Sequence, residues 1–235
     1  SPVTKADRAA ELAMRTLVEE RYPDHGIIGE EYGSVNRDAE FVWVFDPIDG
    51  TKSFITGKPL FGTLVSLLYR GRPFIGVIDQ CILKERWVGS IGNPTTLNGQ
   101  IVRASPSARR LEDSILYNTS PDMFSTPLEK SVFENVRHKS KLTLYGCDCY
   151  AYALVASGFG ADGVIEAGLG LYDYCSLVPI LEGAGGVITD WNGRPLNLQN
   201  HELSEGRVIA ASNSELHSNM LRATSGSAAH LVERI

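Results

Sequence analysis

The chain has 235 residues, a hydrophobic fraction of 43% and a net charge of −6. These values are typical of an ordinary globular protein with one large domain or two halves that share a core. No run approaches the roughly 20 apolar residues of a membrane span, and the acidic balance argues against non-specific nucleic-acid binding. We therefore expect neither a membrane nor a nucleic acid as partner, and the first residues show no targeting pattern.

The first half of the chain alternates one helical segment with several strands. Helical spacing of apolar residues predicts a helix over residues 7–20. The segment 27–31 predicts a short apolar strand that runs directly into the carboxylates of Glu30 and Glu31. The β-branched and aromatic run 41–45 predicts a central strand buried on both faces. Further strands are predicted over 64–69, 74–82 and 85–90, followed by a turn over 93–99.

The second half is closer to an alternation of strands and helices. A loop over 120–127 precedes a predicted helix over 128–137, and a helix over 149–157 ends at Gly158. Strands are predicted over 163–166, 185–190 and 207–211, with a helix over 176–183. The absence of a repeat or long linker predicts one mixed α and β domain over 1–235, with halves 1–140 and 141–235.

The strongest local signal is an acidic turn at the end of the predicted central strand, Asp46-Pro47-Ile48-Asp49-Gly50-Thr51. Pro47 fixes φ near −65° and Gly50 permits unusual backbone angles, so the two carboxylates and the Ile48 carbonyl can face one point. Oxygen-only ligands of this kind suit a hard cation such as Mg²⁺. The alternative is that both aspartates only cap a helix or form an Asx turn.

Glu30 favours the cation site over the capping alternative. If its strand pairs in parallel with the strand that ends at Asp46, the two carboxylates lie side by side. Three acids at neighbouring strand ends repel each other strongly unless a cation lies between them. Gly50 and Thr51 then offer backbone N–H groups where a phosphate is favourable.

Together these segments resemble the inositol monophosphatase family. The first signature of that family is similar to residues 29–31 and 43–51, and its Val-Thr-x-x-Asp segment to residues 3–7. Its second signature is similar to residues 172–176 with 182–186, although Tyr172 stands where the family has Trp. The family also has a helix before the first of these segments, so the resemblance predicts that this helix is absent from the chain.

The resemblance implies a layered αβαβα sandwich of the α/β (α+β) class and a Mg²⁺-dependent phosphomonoesterase. One Mg²⁺ would lie between Glu30, Asp46 and the Ile48 carbonyl, and a second between Asp46, Asp49 and Asp173. A third, weaker ion would contact Glu30 through waters. Thr51, hydrogen-bonded to Asp7, would orient the attacking water, so the expected catalytic residues are Thr51, Asp7 and Glu30. Such ions activate water and stabilise the departing oxygen.

The expected substrate contacts add Asp148 and Glu166 to Asp49, Gly50, Thr51 and Asp173. Two carboxylates opposite the phosphate suit an ammonium group, because it relieves their mutual repulsion. The runs 144–153, 172–186, 94–99 and 189–196 resemble the histidinol-phosphate phosphatases of this family, closest to the plant branch. The alternative for Asp148 is a helix N-cap, and core packing is the preferred interpretation for Tyr150 and Tyr152.

The cysteines and histidines carry no predicted chemistry. Four cysteines without a disulfide framework or a Cys-x-x-Cys pair favour free thiols, at Cys81, Cys147, Cys149 and Cys175. Surface or satisfied polar roles are expected of the five histidines, His25, His138, His201, His217 and His230.

Three hypotheses about function stay open at this stage. They are hydrolysis of histidinol phosphate, a small phosphorylated amino alcohol; hydrolysis of another small ester such as inositol monophosphate; and a non-catalytic regulatory role. The resemblance further implies a homodimer, located in the plastid stroma if the source is a plant and in the cytoplasm otherwise.

Overall fold

The computed structural model describes the backbone of residues 3–232 and the side chains of residues 3–225. Within them, the chain forms two sheets. The strands of the first sheet are β1 (Gly26–Gly29), β2 (Gly33–Val35), β3 (Phe41–Asp49), β4 (Gly62–Tyr69), β5 (Arg72–Gln80), β6 (Glu85–Ser90), β7 (Asn93–Leu97) and β8 (Gln100–Ile101). Their spatial order is β2-β1-β3-β4-β5-β6-β7-β8. All neighbours are antiparallel except β1 and β3, which pair in parallel.

The second sheet contains β9 (Ile115–Asn118), β10 (Leu142–Tyr145), β11 (Gly163–Glu166), β12 (Val187–Thr189) and β13 (Val208–Ala211). Their order is β10-β9-β11-β13-β12. The strands β10, β9 and β11 are parallel, whereas β13 runs antiparallel to both β11 and β12.

The helices of the described chain are α1 (Lys5–Arg21), α2 (Thr51–Ile55), α3 (Pro127–Lys139), α4 (Cys149–Ser157), α5 (Leu171–Tyr174), α6 (Leu177–Gly183), α7 (His201–Ser204) and α8 (Ser214–Val232). No helix among them is long and apolar enough to cross a membrane.

Packing arranges these elements in five layers. The main core joins the inner faces of both sheets to α4 and α6, so these helices lie between the sheets. α1 covers the outer face of the first sheet around Val18 and Phe45. α3 and α8 pack on the outer face of the second sheet. The predicted αβαβα sandwich is therefore confirmed.

The sequence patterns did not predict the strands β2, β8, β9 and β10 or the helices α5, α7 and α8, and residues 93–97 differ from their predicted conformation. Residues 93–97 form the strand β7 rather than part of a turn, and only Asn98 and Gly99 turn, with φ of 49° and 81°. Thr95 in that strand is fully buried, and its hydroxyl is satisfied because it donates to the Ile180 carbonyl at 2.6 Å. The central strand β3 is buried on both faces at Phe45, which α1 covers, whereas Phe41 and Trp43 on the same outer face are half-buried.

Candidate active site

The acidic turn lies where β3 leaves the sheet. The register of β3 against β4 shifts between Asp46 and Asp49, so the turn bulges away from its neighbour. Gly50 follows with φ of 84°, a left-handed angle that favours glycine, and α2 begins at Thr51. Asp46 is only 2% exposed, and its Oδ1 has no hydrogen-bond partner within the described residues.

The parallel pairing expected of Glu30 is present. In β1, Gly29 lies opposite Phe45 of β3, and the Glu30 N–H donates to the Phe45 carbonyl at 3.3 Å. The next residues of the two strands are thus Glu30 and Asp46, which adjoin at the strand ends and interact through their carboxyl groups. Burial raises the pKa of Glu30, and the charges of Glu31 and Asp7 raise it further.

Asp173 reaches the turn from the far half of the chain. It lies in the short helix α5, and its Oδ2 accepts the Gly170 N–H at 2.6 Å, which fixes the side chain at the helix start. Carboxylate oxygens of Asp46, Asp49 and Asp173 all lie within 4.8 Å of one another. The structure therefore brings together three of the predicted ligands from two distant segments.

The three carboxylates repel each other in a buried setting. Burial and then the charges of Asp49 and Asp173 raise the pKa of Asp46 well above its usual range. Burial, followed by the charges of Asp148 and Asp173, does the same to Asp49. Burial also raises the pKa of Asp173 to about 7. Such a cluster is unstable as three anions unless a cation compensates it.

Asp49 also connects the turn to the second half of the chain. Its Oδ2 accepts the backbone N–H of Cys149, the first residue of α4, at 2.6 Å. A carboxylate at this position satisfies one of the free N–H groups at the start of the helix. The acidic turn and the segment that carries Asp148 are therefore held together directly.

The expected hydrogen bond between Thr51 and Asp7 is not the one that the structure shows. Thr51 Oγ1 donates instead to the Ile48 carbonyl oxygen at 3.0 Å, a local bond that a threonine three residues after a carbonyl readily forms. One oxygen of Asp7 accepts the Thr4 N–H at 2.8 Å and the Thr4 hydroxyl in a capping box that begins α1. The other, Oδ1, is buried without a partner among the described residues.

The acidic turn and the segments that carry Glu30, Asp148, Glu166 and Asp173 line a cavity of about 450 Å³. Of the predicted site residues, the cavity wall contains Glu30, Asp46, Ile48, Asp49, Gly50, Thr51, Asp148, Glu166 and Asp173. Asp7 does not line it, so any effect of Asp7 on the site acts through charge or through a neighbour.

Comparison with known proteins identifies the family of the chain that forms this site. Residues 1–228 match the model of the inositol monophosphatase family. The chain belongs to that family. Its curated relatives include the chloroplastic bifunctional phosphatase IMPL2 of Arabidopsis thaliana, 52% identical over 226 residues, and the histidinol-phosphatase of Chlorobaculum parvum, 31% identical over 223 residues.

The matches cover most of this chain but not all of each relative. The aligned part is 94% of this chain and 64% of the Arabidopsis protein, and 95% and 83% for the Chlorobaculum protein. An inositol monophosphatase structure from Zymomonas mobilis superposes with a TM-score of 0.87 at 46% identity, covering 96% of this chain and 85% of that one. Members of the inositol monophosphatase family are metal-dependent phosphomonoesterases, typically with Mg²⁺.

The acidic cluster fits the Mg²⁺ of the inositol monophosphatase family. All of its donors are oxygens, which suits a hard divalent cation. The unpartnered Asp46 Oδ1 is an acceptor that a cation would satisfy. Burial and then neighbouring carboxylate charges raise the pKa values of Asp46 and Asp49, and a bound cation would compensate both effects. The Ile48 carbonyl accepts from Thr51 and retains a second lone pair. The assignment of individual ligands stays a prediction.

The cavity wall also contains Glu166, at the end of β11. Glu166 is 2% exposed; its Oε1 accepts the Thr119 N–H at 3.0 Å and its Oε2 the Tyr152 hydroxyl at 2.8 Å. Burial raises the pKa of Glu166 to about 7, although both hydrogen bonds lower it. A carboxylate held from two sides in this way is fixed in one orientation.

Asp148 does not act as the cap that the alternative interpretation assigns to it. It occupies the N-cap position of α4, but its side chain makes no capping hydrogen bond and its φ is 44°. The helix start is satisfied by Asp49 instead, which leaves the Asp148 carboxylate in the cavity wall beside Gly50. Burial raises the pKa of Asp148, while the charges of Lys52 and Lys58 lower it.

Sequence reasoning missed several residues of the cavity. Tyr152 is buried, as core packing predicts, but its hydroxyl also orients Glu166. Thr119 contributes through its backbone N–H, which no side-chain pattern could reveal. Lys52 and Asp122 line the cavity as well. Lys52 could have been predicted from the sequence, because it directly follows the acidic turn.

The cysteines are free thiols, as predicted, and burial raises the pKa of Cys149. Four histidines form polar contacts away from the cavity wall, among them His138, whose Nε2 lies 3.1 Å from Glu134 Oε2. Tyr174 shares a hydrogen bond of 2.8 Å with His201, Thr189 one of 2.9 Å with His217, and Trp43 donates to His25 at 3.1 Å. The side chain of His230 lies outside the described residues.

Proposed function

We propose that the protein hydrolyses histidinol phosphate to histidinol and phosphate with Mg²⁺. The acidic cluster supports a metal-dependent phosphomonoesterase, and the family match points to the same class of reaction. The substrate is argued from Asp148 and Glu166 in the cavity wall and from two relatives, one named a histidinol-phosphatase and one a bifunctional phosphatase.

The observation that carries the substrate assignment is the pair of carboxylates Asp148 and Glu166. Both line the cavity, and the negative charge of Asp148 raises the pKa of Glu166 after the larger effect of burial. A bound ammonium would relieve this repulsion and form charge-assisted hydrogen bonds. Histidinol phosphate carries an ammonium group, whereas inositol monophosphate offers only hydroxyl groups.

In the proposed reaction, Asp46, Asp49 and Asp173 would hold Mg²⁺ together with Glu30 and the Ile48 carbonyl. Bound there, Mg²⁺ supplies an activated water and neutralises charge on the departing ester oxygen. The backbone of Gly50 and Thr51 would bind the phosphate, and the Thr51 hydroxyl, fixed on the Ile48 carbonyl, would orient the attacking water. Asp7 would act on Glu30 through its charge, which raises the pKa of Glu30. Asp148 and Glu166 would bind the ammonium end.

Hydrolysis of inositol monophosphate is the alternative. It is favoured by the inositol monophosphatase from Zymomonas mobilis, which is 46% identical and superposes with a TM-score of 0.87. The buried carboxylate Glu166 can also accept hydrogen bonds from hydroxyl groups. The two substrates differ in charge at the end that Asp148 and Glu166 contact, so one assay separates them.

The test is phosphate release from histidinol phosphate and from inositol-1-phosphate, each with Mg²⁺ and with a chelator. We expect a kcat/KM at least about 10-fold higher for histidinol phosphate, since one charge-assisted contact contributes roughly 1.5–3 kcal/mol. Equal or greater activity on inositol-1-phosphate would refute the substrate assignment. No release from either ester would favour a non-catalytic role.

We further propose that the protein is a homodimer and that, in a plant, it acts in the plastid. The chloroplastic name of the Arabidopsis relative supports the compartment. Light scattering coupled to gel filtration tests the assembly, and a fluorescent fusion of the full-length gene product tests the compartment. A mass of 25.6 kDa in solution would contradict the dimer.

A further inference from the structure

The helix α1 presents a buried stripe of charged residues to the protein. Asp7, Glu11 and Arg15 follow each other at intervals of four and therefore lie on one face of the helix. They are 0%, 0% and 6% exposed. A helix on a sheet normally buries apolar side chains at these positions, and buried charges are costly unless each is paired. The stripe therefore requires a specific explanation.

Glu11 and Arg15 bind the turn between β1 and β2. Arg15 Nε donates to Glu11 Oε1 at 2.7 Å. The backbone N–H groups of Glu31 and Tyr32 donate to Glu11 Oε2 at 2.7 Å and to Oε1 at 3.2 Å. Arg15 Nη2 donates to the Gly33 carbonyl. Glu11 and Arg15 thus bind main-chain groups of three consecutive residues of the turn, Glu31, Tyr32 and Gly33.

The same pair packs against the residue on the other side of Glu30. A Cβ atom on Gly29 would lie 1.9 Å from Glu11 Oε1 and 2.8 Å from Arg15 Nη2. Only glycine leaves room there for the buried pair. Glu30 is therefore flanked by Gly29, which touches the pair, and by Glu31, which is bonded to it.

We propose that Glu11 and Arg15 are positioning residues for the Mg²⁺ site, because they fix the backbone on both sides of the Glu30 carboxylate. They do not line the cavity, and they hold the backbone of the turn 29–33. The charge of Glu11 also raises the pKa of Glu30, so the test must separate this charge from the positioning of the turn. The inference depends on the proposed metal-dependent function. It predicts that the pair controls how tightly the protein binds Mg²⁺, in addition to any effect on stability.

The chain provides a matched control in a second buried pair. Arg207 Nε lies 3.0 Å from Glu129 Oε1, and Glu129 Oε2 accepts the N–H groups of Ser125 and Thr126, each at 3.0 Å. Glu129 thus makes the same kinds of contact as Glu11. The backbone that it holds begins α3 and carries no residue of the cavity.

The experiment compares Glu11→Gln with Glu129→Gln. An amide has one acceptor oxygen where the carboxylate has two, so each variant loses the hydrogen bonds of one oxygen. In Glu11→Gln this always removes a bond to the backbone, and in Glu129→Gln it removes either the backbone bonds or the contact with Arg207. Calorimetric titration with Mg²⁺ in the absence of substrate gives the Kd, and thermal unfolding gives the Tm. We expect both variants to have a lower Tm. Glu11→Gln should weaken Mg²⁺ binding roughly 10-fold, as outer residues around a metal site do, whereas Glu129→Gln should leave the Kd unchanged.

A Kd for Glu11→Gln equal to that of the unmodified protein, with a lowered Tm, would overturn the proposal and leave the pair a purely structural role. If the unmodified protein itself bound no Mg²⁺, the proposed function would fail instead. Arg15→Lys separates positioning from the charge of Glu11 and also decides if Glu11→Gln does not fold, since it keeps both charges of the pair and loses the planar fork that reaches Gly33. Weakened Mg²⁺ binding in Arg15→Lys supports the proposal, and unchanged binding refutes it.

Discussion

Asp46 is the carboxylate at which the parts of the site meet. Burial, followed by the charges of Asp49, Asp173 and Glu30, raises its pKa. Its Oδ1 is also a buried acceptor without a partner among the described residues. A buried polar atom of this kind costs about 1–3 kcal/mol unless something satisfies it. We therefore treat Asp46 as the ligand on which metal binding depends most.

Replacing Asp46 by Asn should reduce kcat for phosphate release by at least about 10³-fold, because the variant removes the charge that would hold Mg²⁺. The same change should abolish the increase in Tm that Mg²⁺ causes. Asp190→Asn is a matched control, since Asp190 is 1% exposed and also has one unpartnered oxygen. Near-normal kcat in Asp46→Asn would contradict the metal assignment.

The Glu166→Gln substitution should raise KM for histidinol phosphate more than it lowers kcat. The amide keeps the size of the side chain but removes the charge that would pair with the ammonium, a loss of roughly 10-fold in affinity. Steady-state kinetics at saturating Mg²⁺ measure both constants. For inositol-1-phosphate, which has no ammonium, KM should change much less. An unchanged KM for histidinol phosphate would remove Glu166 from the substrate site.

The pH dependence of KM gives an independent check on Glu166. Burial raises its pKa to about 7, so the charged form that binds an ammonium gains population as the pH rises through 7. KM for histidinol phosphate should therefore fall between pH 6 and pH 8. The ionisation of the phosphate affects both substrates, whereas the imidazole of histidinol phosphate also titrates at about pH 6.5. Comparing the pH dependence of the ratio of the two KM values between the unmodified protein and Glu166→Gln therefore isolates the effect of Glu166. A ratio with the same pH dependence in both proteins would contradict this prediction.

At the scale of elements, close packing of α6 on the first sheet places Asp173 near the acidic turn. α6 begins four residues after Asp173 and lies against β5 and β6. A Cβ atom on Gly76 would lie 1.9 Å from the Ser176 carbonyl oxygen, and one on Gly89 2.5 Å from Ile180 Cα. Both contacts are with backbone, so neither can be relieved by a change of rotamer.

Gly76→Ala should therefore lower the free energy of unfolding by about 3 kcal/mol, the upper end of the usual cost of overpacking. Denaturant unfolding with the chelated protein measures the difference. Gly92→Ala is a suitable comparison, because Gly92 has a positive φ of 80° but no atom within 4 Å of its Cβ position. It should cost only about 1 kcal/mol of backbone strain. Equal effects of the two substitutions would refute the close approach.

Elements with a strong local signal were predictable from sequence, and those defined by distant partners were not. The helix α4 was predicted over 149–157 with Gly158 as its end, and the structure has the helix Cys149–Ser157 with Gly158 in a left-handed conformation. The strand β7 was interpreted as a turn because Asn-Pro and Asn-Gly favour turns. Its strand conformation depends on pairing with β6 and on the contact of Thr95 with α6.

The same distinction applies to the candidate site. The proximity of Glu30 and Asp46 followed from the sequence, because the ends of parallel strands adjoin. The hydrogen-bond partner of the Thr51 hydroxyl could not be predicted from the sequence, because the choice between Asp7 and the Ile48 carbonyl depends on side-chain geometry. Likewise the bond from Cys149 N–H to Asp49, which frees Asp148 from a capping role, links residues 100 apart in the chain.

At the scale of the whole molecule, the site lies where the two sheets and the helices between them converge. The acidic turn ends a strand of the first sheet, Glu166 ends a strand of the second, and Asp173 precedes a helix packed between them. Folding therefore concentrates negative charge that the unfolded chain keeps apart. The stability of the whole protein should depend on how that charge is neutralised.

Without Mg²⁺, Tm should fall as the pH rises from 5 to 8. Asp173 and Glu166 have a pKa of about 7 in the folded protein, against 3.8 and 4.5 ordinarily. Between those values the folded protein retains protons that the unfolded chain releases, so stability is lost as the pH rises through the folded pKa. Glu129, whose pKa is lowered to about 2, acts in the opposite sense only below about pH 4.5.

Mg²⁺ should raise Tm more at pH 8 than at pH 5, because the cation binds ionised carboxylates and competes with protons for them. Scanning calorimetry across this range, with chelator and with Mg²⁺, measures both effects. In Asp46→Asn the fall of Tm with pH should be shallower, since one of the repelling charges is gone. A Tm of the chelated protein that rises between pH 5 and 8 would show that the repulsion among these carboxylates does not govern stability, and that the cluster is compensated by groups within the protein itself.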